Sequence, residues 1–253
     1  MENRKEVREI RNTMLLFLGF LISWSCTETK NEDLELVEVT TNSQTDVPFP
    51  NNEIIHYLAL GDSYTIGEGV ASFNSWPKLL EQSLENNMKI EIETQIIAKT
   101  GMTTRDLINA IAFNDTLESY DLVSLLIGVN NQFRGMNIDD FENEFIALID
   151  QSIAFANYKL NRVFVLSIPD WSATPYGQRL DHQKNKIELE QFNRVIKNVC
   201  NAKNIDLYSI TEISRMVKTQ SDLLVKDNLH PSKKMYQLWV DKILSQIMGK
   251  LSD

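Results

Sequence analysis

Residues 54–64 read IIHYLALGDSY, an apolar run that passes directly into a turn sequence. The run has the length of a buried strand, and glycine, aspartate and serine are residues that tight turns favour. A hydroxyl on a turn at the end of a strand is accessible to a ligand, which makes Ser63 a candidate nucleophile. By itself the tripeptide is typical of an ordinary turn, so this interpretation depends on what the rest of the chain supplies.

Apolar runs and amphipathic stretches alternate from Ile54 to the end of the chain. This rhythm predicts βαβ units, and therefore an α/β domain with a parallel sheet. In such sheets, ligands bind beyond the carboxyl ends of the strands, so the residues after each strand are the candidates for a site. We predict strands at 54–60, 90–98, 122–128, 163–168 and 205–209, and helices at 74–87, 103–113, 139–157, 183–203 and 231–249.

Two predicted helices carry local start signals. Thr103, with Asp106 in the first turn, is typical of an N-cap, because its hydroxyl can accept a hydrogen bond from an unpaired backbone N–H of the first turn. Pro231 suits the first position of the last helix.

A serine hydroxyl is a poor nucleophile unless a base lies within hydrogen-bond reach and a third group orients that base. Residues 227–231, DNLHP, offer both groups. An aspartate three residues before a histidine can fold its carboxylate onto the imidazole Nδ1 and leave Nε2 facing the serine. We therefore predict His230 as the general base and Asp227 as its orienting group. On this fragment alone, the alternative that His230 caps the last helix stays open.

An acyl-transfer site also needs hydrogen-bond donors for the oxyanion that forms during the reaction. After the second predicted strand comes Thr100-Gly101-Met102, where the N–H of Gly101 can serve. After the third comes Gly128-Val129-Asn130-Asn131, where the Asn130 amide can donate. Each of these stretches alone is typical of an ordinary turn.

These stretches, taken together and in this order, resemble the signature sequences of a known family. The blocks LALGDSYTIGEG, AKTGMTT, LLIGVNNQFRG and DNLHP look like the four signature blocks of SGNH (GDSL-like) hydrolases, in their usual order and with no signature position substituted. The resemblance implies a flavodoxin-like three-layer α/β/α sandwich around a five-stranded parallel sheet. It also implies that no cofactor and no metal is needed.

The resemblance further assigns roles. It implies that Ser63 is the nucleophile and first oxyanion donor, that Gly101 and Asn130 are the other donors, and that Asp227 and His230 complete a catalytic triad. We therefore expect a serine esterase that forms an acyl-enzyme and cleaves short-chain acyl esters or deacetylates glycans. An acyltransferase to a sugar hydroxyl, a lysophospholipase or thioesterase, and a non-catalytic glycan-binding module are the alternatives.

A possible substrate pocket follows the third and fourth strands. The candidates are Phe133, Arg134, Asp170, Trp171 and Tyr176. A mixture of aromatic and polar side chains suits a sugar ring, while simple packing between loops is the alternative.

The first 53 residues differ from the predicted domain at 54–253. Residues 1–12 contain four basic side chains and residues 14–24 are apolar, so 1–25 resemble a signal peptide. Cys26 is a candidate for lipidation, although Ser23 and Trp24 depart from a typical lipobox; simple cleavage and an uncleaved anchor are the alternatives. Residues 26–53 read as an acidic flexible tether, or at 34–39 as a short edge strand. We expect an exported protein, either a cell-envelope lipoprotein or periplasmic or secreted, that contacts the membrane only through this segment.

Composition excludes several other classes. A net charge of −10 over 253 residues, without basic and aromatic interleaving, argues against nucleic acid. The histidines His56, His182 and His230 are too scattered for a zinc site, and the cysteines Cys26 and Cys200 offer no disulfide framework. We expect Cys200 to be a small buried apolar group, and the oligomeric state is left open.

Overall fold

The computed structural model describes residues 54–114 and 119–252. The predicted signal peptide, the tether, the alternative strand at 34–39 and Cys26 lie outside these residues.

Five parallel strands form one sheet. They are β1 (Ile54–Gly61), β2 (Glu91–Ala98), β3 (Leu122–Leu126), β4 (Val163–Leu166) and β5 (Asp206–Tyr208). Their order across the sheet is β2-β1-β3-β4-β5. Strands β3 and β4, whose sequences LVSLL and VFVL are almost wholly apolar, are buried along their whole length, as parallel strands covered on both faces should be. All five strands are present where the sequence predicts them, although the last three end one or two residues earlier than predicted.

Eight α-helices occur among the described residues. The five long ones match the five predicted helices, whereas the three short ones span only one turn or slightly more and have no hydrophobic period that could reveal them. The helices are α1 (Ser63–Ile66), α2 (Trp76–Met88), α3 (Thr104–Phe113), α4 (Val129–Phe133), α5 (Ile138–Phe155), α6 (His182–Lys203), α7 (Thr211–Arg215) and α8 (Lys233–Ser252).

The long helices form two layers with the sheet between them. The chain moves from β1 to β2 in one direction and then crosses back over β1 to β3. Because parallel crossovers are right-handed, this reversal places α2 and α3 on opposite faces. Helix α8 packs on α2, while α5 packs on α3 and α6. The result is the three-layer α/β/α sandwich, with the flavodoxin-like strand order, that the sequence predicts.

Aromatic side chains fill the core on the α2 side of the sheet. On this face, the ring of Tyr57 on β1 lies 6.4 Å from that of Phe164 on β4, across the intervening strand β3. Trp76 of α2 meets Phe164 at 6.3 Å. Cys200 of α6 is fully buried, and burial raises the pKa of its thiol to about 12. The prediction that Cys200 is a small buried apolar group is confirmed.

The start of α3 follows its local signal. The Thr103 hydroxyl accepts the Asp106 N–H at 3.2 Å, and the Asp106 carboxylate accepts the Thr103 N–H at 3.0 Å. This reciprocal pair is a capping box, which confirms the predicted N-cap. It also anchors the end of the loop that follows β2.

No helix in the described part of the chain is both long and apolar enough to cross a bilayer.

The strand order determines where a site can form. Since β1 lies between β2 and β3, the loops after these three strands open at the same edge of the sheet, at the point where the chain changes direction. Ser63, Gly101 and Asn130 each lie just beyond one of these strands.

Candidate active site

Ser63 is the first residue of the one-turn helix α1. Asp62 caps this helix, since its Oδ1 accepts the Tyr64 N–H at 3.0 Å. The turn is tight enough to require glycine before it, because a Cβ on Gly61 would lie 2.1 Å from the Thr65 hydroxyl. As the first helical residue, Ser63 has an N–H without a partner inside the helix. Both its hydroxyl and its N–H are therefore placed at the end of β1.

The carboxyl group of Asp62, the residue before the nucleophile, is buried. The residue is 1% exposed, and its Oδ2 has no hydrogen-bond partner among the described residues. Burial raises the pKa of this carboxyl to about 7, against the opposing effect of the Tyr64 N–H. Asp62 is thus more easily protonated than an ordinary aspartate.

His230 connects Ser63 to Asp227. Its Nε2 lies 3.1 Å from the Ser63 Oγ, and its Nδ1 lies 2.7 Å from Asp227 Oδ2. The second carboxylate oxygen, Oδ1, accepts the N–H groups of Leu229 at 2.8 Å and His230 at 2.9 Å. The aspartate therefore folds back onto the imidazole as the sequence predicts. Partial burial opposes ionisation, but these hydrogen bonds hold the pKa of the Asp227 carboxyl below its usual value.

The loop around His230 corrects one prediction. Pro231 does not begin the last helix, which starts at Lys233. Instead Pro231 forms an isolated antiparallel bridge with Leu224, and the Val225 N–H donates to the His230 carbonyl at 2.9 Å. The chain is therefore still extended at the proline, and the His230 side chain points to Ser63 and Asp227 instead of capping α8.

Gly101 lies in a tight turn after β2. The Met102 N–H donates to the Lys99 carbonyl at 3.2 Å, and Gly101 has a φ of +82°. Because Thr100 keeps a negative φ, this is the geometry of a type II β-turn, whose third position favours glycine. The N–H of Gly101 belongs to the peptide between Thr100 and Gly101, at the centre of the turn. This peptide points in opposite directions in type I and type II turns, so the turn type sets the direction of the N–H.

Asn130 projects from α4 towards the same turn. Its Nδ2 donates to the Met102 carbonyl at 2.9 Å. An amide nitrogen carries two hydrogens, so a second donor remains for the cleft. The structure thus places the three predicted oxyanion donors, Ser63, Gly101 and Asn130, around one cleft.

This cleft has a volume of about 200 Å³. Three of the five predicted pocket residues, Phe133, Trp171 and Tyr176, line it together with the triad serine and histidine. The Trp171 ring meets Phe133 at 5.3 Å and Tyr176 at 6.4 Å. The other lining residues are Tyr64, Thr100, Gly101, Val129, Asn130 and Leu229.

Arg134 and Asp170 do not line the cleft, and this corrects the predicted pocket. The Arg134 guanidinium bonds to backbone instead, since its Nη2 donates to the Gly101 carbonyl at 2.6 Å. The Asp170 side chain is 3% exposed and pairs with Arg215 of α7, with Oδ2 2.7 Å from the Arg215 Nε. Its Oδ1 accepts the Ser172 N–H at 3.1 Å. A buried carboxylate needs such partners, so Asp170 holds the loop that carries Trp171 instead of facing substrate.

Gln132 is a site residue that the sequence analysis missed. Its Oε1 accepts the Trp171 indole N–H at 2.9 Å, and its Nε2 donates to Glu188 at 2.9 Å. An indole N–H can only donate and a carboxylate can only accept, so the amide orientation is fixed by its partners. Its place two residues after Asn130 is the signal that could have found it.

The remaining histidines lie elsewhere. The His56 Nδ1 is 3.6 Å from Glu93 on the neighbouring strand, and His182 begins α6. Within residues 54–114 and 119–252, no group of three histidine, cysteine or acidic side chains is arranged to hold a metal ion.

Comparisons with known protein families and with individual proteins agree with each other. Residues 59–238 match the GDSL-like lipase/acylhydrolase family. The chain is 25% identical over 213 residues to the spore germination lipase LipC of Bacillus licheniformis, covering 78% of this chain and 98% of the relative.

Solved structures share the fold. The psychrotrophic esterase EstA of Pseudoalteromonas sp., determined with monoethylphosphonate as inhibitor, has a TM-score of 0.56 at 22% identity, covering 80% of this chain and 100% of EstA. The acetylxylan esterase Axe2 of Geobacillus stearothermophilus has a TM-score of 0.60 at 17% identity, covering 79% and 94%. At these identities the likeness concerns the fold.

Proposed function

Because the chain belongs to the GDSL-like lipase/acylhydrolase family and is a carboxylic ester hydrolase of the SGNH type, we propose that it cleaves short acyl esters through an acyl-enzyme on Ser63. The observation that carries this proposal is the unbroken chain of contacts from Ser63 through His230 to Asp227, at 3.1 and 2.7 Å.

In the first step, the Ser63 Oγ attacks the ester carbonyl carbon as His230 Nε2 takes the hydroxyl proton. Asp227 stabilises the imidazolium through Nδ1. The negative charge on the former carbonyl oxygen is met by the N–H groups of Ser63 and Gly101 and the free amide hydrogen of Asn130. The C–O bond then breaks, His230 returns its proton to the leaving alcohol, and the acyl group stays on Ser63.

In the second step, a water molecule attacks the acyl-enzyme while His230 Nε2 takes one of its protons. The same three donors stabilise the second oxyanion. When it collapses, the carboxylic acid leaves and His230 gives its proton back to the Ser63 Oγ. The enzyme is thereby regenerated without any other reactant.

Hydrolysis of p-nitrophenyl acetate by Ser63→Ala tests the nucleophile. We expect kcat to fall by about 10⁴-fold or more, because covalent catalysis is lost while the donors remain. The Ser245→Ala variant, an exposed serine on α8, is the matched control and should keep the native rate. A native rate in Ser63→Ala would overturn the proposal.

We further propose that the preferred substrates are acetylated glycans. A cleft of about 200 Å³ with Trp171 and Tyr176 in its wall has room for a small acyl group beside a ring. The acetylxylan esterase whose fold the chain shares acts on a substrate of this kind. Hydrolysis of an acyl series from acetyl to dodecanoyl, set beside acetylated oligosaccharides, is the test. Equal or higher kcat/KM for the long acyl chains would contradict it.

For its location, we propose that the enzyme is exported and held at the cell envelope by a lipid on Cys26. The support is the basic segment at 1–12, the apolar run at 14–24 and the acidic stretch at 26–53 that would act as a tether. Mass spectrometry of the protein from bacterial membranes should show diacylglycerol on Cys26, and Cys26→Ala should release the enzyme from them. Release of the unmodified native protein would favour simple cleavage.

A further inference from the structure

The two oxyanion donors beyond Ser63 lie on loops that no strand pairing joins. Gly101 lies in the turn after β2, and Asn130 is the second residue of α4, which follows β3. Strands β2 and β3 lie on opposite sides of β1. The distance between the donors therefore depends on side chains that cross from one loop to the other. Three residues make this crossing.

The first two crossings reach the chain just after Gly101. The Asn130 amide donates to the Met102 carbonyl at 2.9 Å. The fully buried Asn131 accepts the Thr104 N–H at 3.0 Å and donates to the Thr104 hydroxyl at 2.7 Å. Both contacts hold the chain after Gly101, but neither touches Gly101 itself.

Arg134 makes the third crossing and bonds to the backbone carbonyls of both donor residues. Its backbone N–H donates to the Asn130 carbonyl at 3.1 Å, and its Nη2 donates to the Gly101 carbonyl at 2.6 Å. The second guanidinium nitrogen, Nη1, lies 3.8 Å from the Asp106 carboxylate, which is itself fixed in the capping box of α3. The guanidinium is thus oriented at two points.

We propose that Arg134 is a positioning residue that keeps the Gly101 and Asn130 donors aimed at one oxyanion. This inference rests on the proposed function of Ser63. Arg134 acts by placement more than by charge, because its side chain is 51% exposed and water and salt screen a charge in such a position. A displacement of about 1 Å in a reacting group can cost about 100-fold in rate, so a loosened turn is enough to matter.

The test compares Arg134→Met, which keeps the stem but loses the donors and charge, with Arg134→Lys, which keeps the charge and a donor. We expect Arg134→Met to lower kcat for p-nitrophenyl acetate by about 10- to 100-fold with little change in KM, and Arg134→Lys to recover part of the loss. Arg194→Met, an exposed residue of α6 with the same change in net charge, is the control and should match the native enzyme.

A thionoester separates positioning from loss of structure. Sulfur is a weak hydrogen-bond acceptor, so the penalty of Arg134→Met should shrink when sulfur replaces the carbonyl oxygen. Native kcat in Arg134→Met, or an equal loss with both substrates, would overturn the inference. If Arg134→Met does not fold by circular dichroism, Arg134→Gln carries the same expectation. Labelling of native Ser63 by a fluorophosphonate distinguishes the outcomes, because its failure overturns the proposed function instead.

Discussion

The loop at 225–231 and the segment at 128–134 both bring polar side chains to the same cleft, but they hold them differently. In the loop, Asp227 bonds to Leu229 and His230, two and three positions further along the chain. In the segment, Asn130 and Arg134 reach Met102 and Gly101, 28 and 33 positions earlier.

This difference separates two tasks. The base and its orienting acid form a self-contained unit, so only its approach to Ser63 depends on the tertiary fold. The oxyanion donors have no such unit, and their geometry depends on the sheet and on contacts between loops. Changes in the loop should therefore affect proton transfer, whereas changes in the segment should affect charge stabilisation.

The largest effect is expected from the loop. His230→Ala removes the base and should lower kcat for p-nitrophenyl acetate by about 10⁴- to 10⁶-fold. Added imidazole, a diffusible base, should restore part of the activity. His182→Ala, at the exposed start of α6, is the control and should match the native enzyme. If His230→Ala keeps more than about one per cent of native kcat, the assignment of the base fails.

On the segment, Asn130→Ala should lower kcat by about 10²- to 10³-fold, or about 3–4 kcal/mol, because one oxyanion donor is lost. Steady-state kinetics should show KM nearly unchanged. Imidazole should give no recovery here, in contrast to His230→Ala. Recovery by imidazole in both variants would remove the distinction between the two regions.

The same segment also fixes the wall of the cleft through Gln132. Trp171→Leu should shorten this wall and raise the ratio of kcat/KM for hexanoyl over acetyl esters by about tenfold, since a fitted methylene is worth about 1 kcal/mol or more. Gln132→Leu, which frees the indole without shortening it, should shift the ratio less. An unchanged ratio in Trp171→Leu would mean that this wall does not contact the acyl chain.

The smallest effect is expected in the pH dependence of protein stability, through the buried carboxyl of Asp62. Because burial raises the pKa of Asp62 to about 7, the folded protein binds its proton more tightly than the unfolded chain does. Stability contributed by this group should therefore fall as pH rises from about 4 to about 7. In Asp62→Asn the decrease in Tm between about pH 5 and about pH 7.5 should be smaller than in the native protein. Parallel curves for the two proteins would refute the assignment.

Much of the fold could be predicted from the sequence, because it depends on patterns along the chain. The buried runs of β3 and β4 and the amphipathic period of the long helices are local signals. Likewise DNLHP contains the whole contact between Asp227 and His230. Pro231 shows the limit, since pairing with Leu224 overrides its preference for a helix start.

The cleft could be predicted only in part, because its walls depend on partners far along the chain. Asp170 follows a strand as a site residue would, yet Arg215 binds it in the interior. Arg134 was assigned to the pocket, but its partner is the Gly101 carbonyl. The only sequence signal of Gln132 is its place two residues after Asn130, and its role depends on contacts with Trp171 and Glu188. Charge and position along the chain suggest such residues, but only tertiary contacts decide their roles.

The central claim is that Ser63 is the activated nucleophile, and adduct mapping tests it most directly. The native protein is treated with a fluorophosphonate, digested and analysed by mass spectrometry, beside His230→Ala as the variant with an unactivated serine. We expect one adduct per native chain, on the peptide that contains Ser63, and almost none in His230→Ala. An unlabelled native protein, or an adduct on another serine, would contradict the account.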